Sequence, residues 1–310
     1  MCGIKEPEHL PVLLNRFLEL ALPGTLWDGT LGLAGHSKAW LNKYPQGQLF
    51  GSDQDAAMLS LAREKLLGPG LAGRVNIKPG NFSSLPFSEQ RFDNILLDLG
   101  ISSLHFDAFK RGFSYRFEQS LDMRMNTEEG IPLFEWLEQA DEKEITEVLF
   151  RFGEEPRARQ IASLIIERRT QSPVKNTKDL VSICEQVYSR VPQRFKHTSR
   201  HPYVRAFQAF RIYINDELGH LERALELIPD RLNPGGRLFI ISFHSLEDRL
   251  VKKKFQALEI VETPQDPFSS SRPGEFKRVL KKPVTASSEE MKENSRSRSA
   301  RMRILEKTIS

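Results

Sequence analysis

The sequence predicts an α/β fold, a mostly parallel sheet interrupted by an inserted all-helical domain. Three observations carry that prediction. Short apolar runs alternate with helical patterns over the first hundred residues, as parallel strands joined by crossover helices do. The fourth run, residues 92–97 (FDNILL), is almost wholly apolar, which suits a strand buried on both faces. The fifth, residues 237–243 (RLFIISF), comes only after a stretch far longer than the dozen or so residues of an ordinary crossover. A chain of 310 residues suits one large domain or two smaller ones.

In chain order, residues 11–22 are apolar at helical spacing, with Pro11 placed for a helix start. Residues 25–28 read as the first strand, followed by Gly29, Gly32 and Gly35 and a helix beginning near His36. Residues 48–52 form the second strand, which ends at Asp53. Residues 56–67 are helical and stop before Gly68-Pro69-Gly70, and 74–78 form the third strand. Helices follow over 133–139, 142–152, 156–169 and 177–190, the last with Thr177 as its N-cap. The turn Asn233-Pro234-Gly235-Gly236 precedes the fifth strand, residues 261–274 read as a loop, and 275–282 pair with 299–307 as closing antiparallel strands. The expected division is an α/β domain of residues 1–109 and 202–310 around a helical insert of 110–201.

A hydrophobic fraction of 39% and a charged fraction of 28% exclude a disordered chain. No apolar run approaches the ~18–20 residues of a membrane helix. Glu6, Glu8 and His9 stand where a signal peptide would have its apolar core. Two cysteines, Cys2 and Cys184, exclude a disulfide scaffold and point to a reducing, cytoplasmic setting. The net charge of +4 is unevenly spread: residues 272–310 hold eleven Lys/Arg against five Glu, a net of +6, leaving −2 for the rest. A second basic stretch, 190–215, holds Arg190, Arg194, Lys196, Arg200, Arg205 and Arg211 with no acid. Phe195, Tyr203, Phe207, Phe210 and Tyr213 interleave there. Basic side chains neutralise phosphates and aromatic faces stack on unpaired bases. A solvated helix with an apolar stripe is the competing reading of this stretch alone, since Phe207, Phe210 and Ile214 share a helical spacing. Two such stretches favour a polyanion partner. His197-x3-His201 has a zinc-like spacing but no second ligand pair, so no metal site is expected.

Ligands of parallel sheets bind beyond the carboxyl ends of the strands. The first strand is followed by DGTLGLAGHS (28–37), whose glycines let a ligand approach the backbone. Asp53 ends the second, where an acid accepts hydrogen bonds from ribose hydroxyls. Gly80-Asn81-Phe82 ends the third and offers an aromatic face to a base. DLGISS (98–103) ends the fourth. The glycines run G-x-x-G-x-x-G, which is neither the dinucleotide fingerprint nor a P-loop. A ribose-bearing ligand without a pyrophosphate fits, and S-adenosylmethionine is the common one. Competing readings make Asp53 a helix N-cap and Phe82 a core residue.

The blocks H-x-PVLL (9–14), DGTLG (28–32), LLDLGISS (96–103), RGFS (111–114) and LDMRM (121–125) resemble one family. FQA (207–209), ISFHSLEDR (241–249) and NSRSRSARMR (294–303) complete the resemblance. It is to the bacterial 16S rRNA cytosine-N4 methyltransferases, the RsmH or MraW type, from His9 to Lys307. It implies a Rossmann-like, S-adenosylmethionine-dependent core with an inserted helical domain that recognises RNA. The reaction implied is methyl transfer to N4 of a decoding-centre cytidine, with the small ribosomal subunit as partner and no DNA or membrane. Cofactor contacts implied are Ala34, Gly35, His36, Asp53, Phe82, Asp98 and His105. Three positions depart from the family pattern: Ala34 replaces a glycine, Gln54 an arginine and His105 a glutamine.

The weak partner in such a transfer is the cytosine amine, whose lone pair is delocalised into the ring. Acceptors on its hydrogens favour the developing cation, and Asp98, Ser102, Ser103 or carbonyls of the same loop are the candidates. The competing reading leaves Asp98 holding only cofactor and the serines capping a helix. Phosphate contacts are expected from Arg205, Arg211, Arg296, Arg298, Arg301 and Arg303. His244, Glu247, Asp248 and Arg249, just after the fifth strand, either line or brace the RNA entrance or form a structural ion-pair cluster. Two other classes stay open. A DNA amino-methyltransferase would carry a Pro-Pro-Tyr/Phe motif where DLGISS stands, and a noncatalytic ribosome-binding factor would bind no methyl donor.

Overall fold

The computed structural model describes residues 11–68, 71, 73–102, 104, 110–189, 201, 203–261 and 272–309. The chain divides into two compact units, residues 1–100 with 218–310, and residues 101–217.

The first unit is built on strands β1 (Thr25–Asp28), β2 (Gln48–Asp53), β3 (Val75–Pro79), β4 (Phe92–Asp98) and β5 (Leu232–Ser242). A short ribbon, β6 (Ile260–Val261) with β7 (Arg272–Pro273), precedes β8 (Phe276–Arg278) and β9 (Arg301–Lys307). The main sheet runs β3-β2-β1-β4-β5-β9-β8. The first five strands are parallel, and β9 and β8 close one edge antiparallel. The period-2 alternation of a strand sends successive side chains to opposite faces. Leu26, Leu96, Phe239 and Ile241 enter one apolar cluster, while Trp27, Ile95, Leu97, Leu238 and Ile240 enter another. Both faces are therefore buried, which is why β4 and β5 read as unbroken apolar runs. The fold is a doubly wound α/β sheet of the Rossmann-like kind, with its strand order reversing between β1 and β4.

Helices Leu14–Leu20, Gly35–Lys43 and Ala56–Leu66 match the expected positions within a residue or two at most ends. The first begins later than expected, because Leu13 takes a left-handed conformation and turns the chain. Residues 233–236 form no separate turn. They lie inside β5, where the register with β4 slips between Phe92 and Asn94. Helix Ser245–Leu258, unforeseen from periodicity, follows β5 and is capped by His244 with Glu247.

The second unit is helical: Leu133–Gln139, Glu142–Gly153, Ala158–Arg169, Thr177–Ser189 and Val204–Ile214. Its core includes Leu133, Trp136, Leu149, Ile165, Ile183 and Phe210. The unit runs past residue 201 because Val204–Ile214 packs on Glu142–Gly153. Gly153 allows that approach, since a Cβ there would lie 2.7 Å from the Arg205 carbonyl oxygen. The N-cap of Thr177–Ser189 is Asn176, whose Oδ1 accepts from the Asp179 N–H at 3.0 Å. Thr177 instead is buried, donating its hydroxyl to the Phe117 carbonyl. Among the described residues, no helix is long and apolar enough to cross a membrane.

Candidate active site

The carboxyl ends of β1, β2 and β4 place three aspartates on one rim of the sheet, Asp28, Asp53 and Asp98. Glu247, in the first turn after β5, adds a fourth acid. Local chemistry fixes each of them. Asp28 is 2% exposed and accepts from the Ser37 hydroxyl at 2.6 Å and the Thr30 N–H at 3.2 Å. Asp53 Oδ2 accepts from the Gly32 N–H at 2.9 Å, so the end of β2 anchors the glycine turn after β1. Gly32 needs its positive φ of 51° for that turn. The cap of the next helix is Asp55, which accepts from the Ala57 N–H, and Asp53 accepts from the Asp55 N–H. Gln54 ties β2 to the end of β3 by accepting from Asn81 Nδ2 at 2.6 Å.

Ala34 sits at φ 60° as the N-cap of Gly35–Lys43 and is buried. Left-handed backbone is unfavourable for an L-residue with a side chain by roughly 1–2 kcal/mol. Position 34 therefore demands the conformation in which a glycine would be unstrained. A Cβ at Gly35 would lie 2.5 Å from Pro11, so the N-terminal segment packs directly on this turn. Phe82 is only 9% exposed and belongs to one of the two sheet clusters, with its Cβ 3.0 Å from where a Gly29 Cβ would lie. Its Cβ closes the space beside Gly29 from the core side.

Asp98 is held at its backbone, where its N–H donates to Thr30 Oγ1 at 2.7 Å. Its Oδ1 is buried with no hydrogen-bond partner among the described residues, and its Oδ2 lies 3.7 Å from His36 Nδ1. The side chain keeps 24% of its surface exposed. Electrostatics follow from this crowding. Burial pushes the Asp28 carboxyl up to about 6, with Asp53 adding to the rise, against hydrogen bonds from Ser37 and Thr30. Burial, then the neighbouring charges of Asp28 and Glu247, hold Asp98 well above the ordinary carboxylate value. A rim of crowded acids with one unsatisfied oxygen suits a ligand that brings positive charge and hydrogen-bond donors.

Thr30, Ser37 and Glu247 were not expected at this rim. Thr30 and Ser37 sit within the glycine-rich segment, and Glu247 sits in the block after the fifth strand, where the expected role was at the RNA entrance or in an ion-pair cluster. Ser102 is the second residue of the second unit. Ser103, His105, Arg190, Arg194, Lys196, His197 and Arg200 lie outside the described residues.

The basic residues expected to meet phosphate separate into two groups. Arg249, Arg298 and Arg301 are exposed, and Arg205 and Arg296 are half-buried. Arg303 is 8% exposed, with its Nε and Nη2 donating to Asp248 at 2.7 and 3.1 Å. Arg211 is forked onto Glu217 at 2.8 and 3.0 Å. Both of these guanidiniums are committed to carboxylates, so neither presents its charge for a phosphate. Arg301 also reaches Asp248, at 2.9 Å. Burial alone would raise the Asp248 carboxyl, but the hydrogen bonds of Arg303 and Arg301 outweigh it and hold it low. His244 is a helix cap, its Nδ1 accepting from the Glu247 N–H while Glu247 accepts from the Phe243 N–H. Glu247 and Asp248 thus brace the start of the helix after β5.

Relatives run the full length of the chain. A protein of Heliobacterium mobile called ribosomal RNA small subunit methyltransferase H is 42% identical, over 97% of this chain and 99% of the relative. Proteins of the same name from Heliobacterium modesticaldum and Acaryochloris marina are 42% and 39% identical, over 96% of this chain and 98% and 94% of theirs. The sequence pattern of one family covers residues 6–308, the glycine turn, the aspartate rim and the helical unit included; the chain belongs to the MraW methylase family.

Proposed function

We propose that this chain is an S-adenosylmethionine-dependent methyltransferase of 16S ribosomal RNA, acting in the cytoplasm on the exocyclic N4 of a decoding-centre cytidine. The observation that carries the reading is the rim itself. Four acids and the unsatisfied Asp98 Oδ1 stand at the switch point of a doubly wound sheet, in a member of a methylase family. The residues present fit the cofactor. S-adenosylmethionine supplies an activated methyl on a sulfonium cation, and an acidic rim attracts a cation. Ala34 and Gly35 form the turn against which it would lie, with His36 behind it, and Asp53 would accept from the ribose hydroxyls. Phe82 would offer no more than the edge it leaves exposed, and His105 is the remaining contact implied by the family pattern.

The acceptor side needs groups that draw on the amine hydrogens as N4 attacks. Asp98 carries the free acceptor oxygen, with Ser102, Ser103 and carbonyls of the same loop as its companions. Positioning of N4 in line with the methyl lowers the barrier further. The base leaves its stack to reach such a rim. The helical unit recognises the surrounding RNA, and Arg205, Arg249, Arg296, Arg298 and Arg301 contribute phosphate contacts.

Mass spectrometry of ribosomal RNA from cells with and without the gene tests the reading. Loss of a methyl from one small-subunit cytidine is expected, and unchanged modification overturns it. Asp98→Ala should abolish methylation while circular dichroism and thermal unfolding stay those of a folded protein; near-normal turnover removes Asp98 from its role.

A further inference from the structure

His36 is tied to Asp98 by geometry that cofactor contact alone does not require. Its Nε2 lies 2.9 Å from the Val12 carbonyl oxygen. A carbonyl only accepts, so Nε2 carries the hydrogen. The edge of Phe17, at 5.6 Å and 89°, fixes the ring plane. Nδ1 is then left facing Asp98 Oδ2 at 3.7 Å, a small shift from a hydrogen bond. Asp98 cannot swing away at its backbone, because its N–H is held by Thr30 Oγ1.

Among the described residues, the groups facing Asp98 include Asp28 from β1, Glu247 from the helix after β5 and His36 from Gly35–Lys43. Asp53 acts on it through Asp28. The neighbours of His36 include Asp98, the Val12 carbonyl and the Phe17 ring. Two acids beside a buried carboxyl favour its protonated form, and a cation reverses that preference. We propose that His36 is a positioning residue that shares one proton with Asp98, the proton passing from Oδ2 to Nδ1 when a cation binds at the rim. In that step the O–H bond of Asp98 breaks with its electron pair left on the carboxylate, and an N–H bond forms at Nδ1. The imidazolium then donates to Oδ2 and holds Oδ1 ready as the charged acceptor. Asp98 is thus charged only when ligand is present, and the proton is parked inside the protein. Because it takes S-adenosylmethionine as the cation, the inference rests on the reading above.

The test uses the full chain with histidine labelled by nitrogen-15, titrated with S-adenosylmethionine at constant pH. The His36 resonance, assigned by its loss in His36→Gln, should pass from the neutral Nε2–H tautomer to the imidazolium. Calorimetry in buffers of different ionisation heat gives the second readout. His36→Gln should release roughly one proton more per bound cofactor than the wild type, since it lacks the place to keep it. Binding with His36 still neutral, or equal proton release from the two proteins, overturns the inference. Absence of any binding heat defeats the cofactor reading itself, and the inference with it.

Discussion

Asp28 carries its charge at a cost to the fold, and Asp28→Asn measures that cost. The carboxyl is 2% exposed and pushed up to about 6 from an ordinary 3.8, chiefly by burial. The folded state therefore holds the proton more tightly than the unfolded chain. Stability from this group is complete below pH 3.8 and is lost as pH rises through 6. The loss amounts to about 3 kcal/mol at pH 8 and about half of that at pH 5. Asparagine keeps an acceptor for the Thr30 N–H and can donate to the Ser37 hydroxyl where Asp28 accepted from it. The exchange costs about 1 kcal/mol in hydrogen bonding. The variant should be more stable than the wild type by about 2 kcal/mol at pH 8, with most of that gain gone at pH 5. Urea unfolding at both pH values reads this directly. Stability that changes with pH in parallel for the two proteins would refute the reasoning. The gain in stability should come with weaker S-adenosylmethionine binding by calorimetry, because the rim has lost a negative charge.

Asp248→Ala leaves Arg303 buried without its partner and should cost about 3–5 kcal/mol in urea unfolding, whereas the apolar pair Asp248→Leu with Arg303→Met should cost far less. Equal costs would mean that the pair is not a buried unit. Gly112→Ala should destabilise by about 2 kcal/mol or more, because φ there is 82° and the new Cβ would lie 2.3 Å from the Ser120 carbonyl oxygen; a thermal midpoint equal to the wild type's is the contrary result. RNA affinity should fall steeply with salt, and Arg298→Ala should lower the slope of log affinity against log salt by about 1. Arg211→Ala should leave that slope unchanged, since its guanidinium is already neutralised by Glu217; a slope reduced equally by both variants would erase the distinction.

The parallel core was legible because burial on both faces leaves a continuous apolar signature, as in residues 92–97, and because glycines and aspartates punctuate the strand ends. The aspartate rim was legible for the same reason. What stayed hidden depends on contacts far apart in the chain. Nothing local distinguishes Arg303, locked onto Asp248 fifty-five residues earlier, from the exposed Arg298 five residues before it. The Val12 carbonyl that orients His36 is a backbone atom, and it carries no sequence signal. The left-handed backbone at Ala34 shows only as a missing glycine in the family pattern. Helix Val204–Ile214 had the right periodicity, but its partner was set by the small size of Gly153.

The sheet is made from two stretches of chain separated by the helical unit, and this bears on how the protein is born. Strand β4 ends at Asp98, and its neighbour β5 starts only at Leu232. At ribosomal speed the interval is on the order of ten seconds. During it the nascent polypeptide exposes one apolar flank that has nothing to pair with, while the helices of residues 101–217 can already fold. Since β9 lies between β5 and β8, the final register locks only when residues 301–307 have left the exit tunnel. Truncation at the carboxyl terminus would therefore strip the outer edge of the sheet, leaving β5 bare and prone to aggregate.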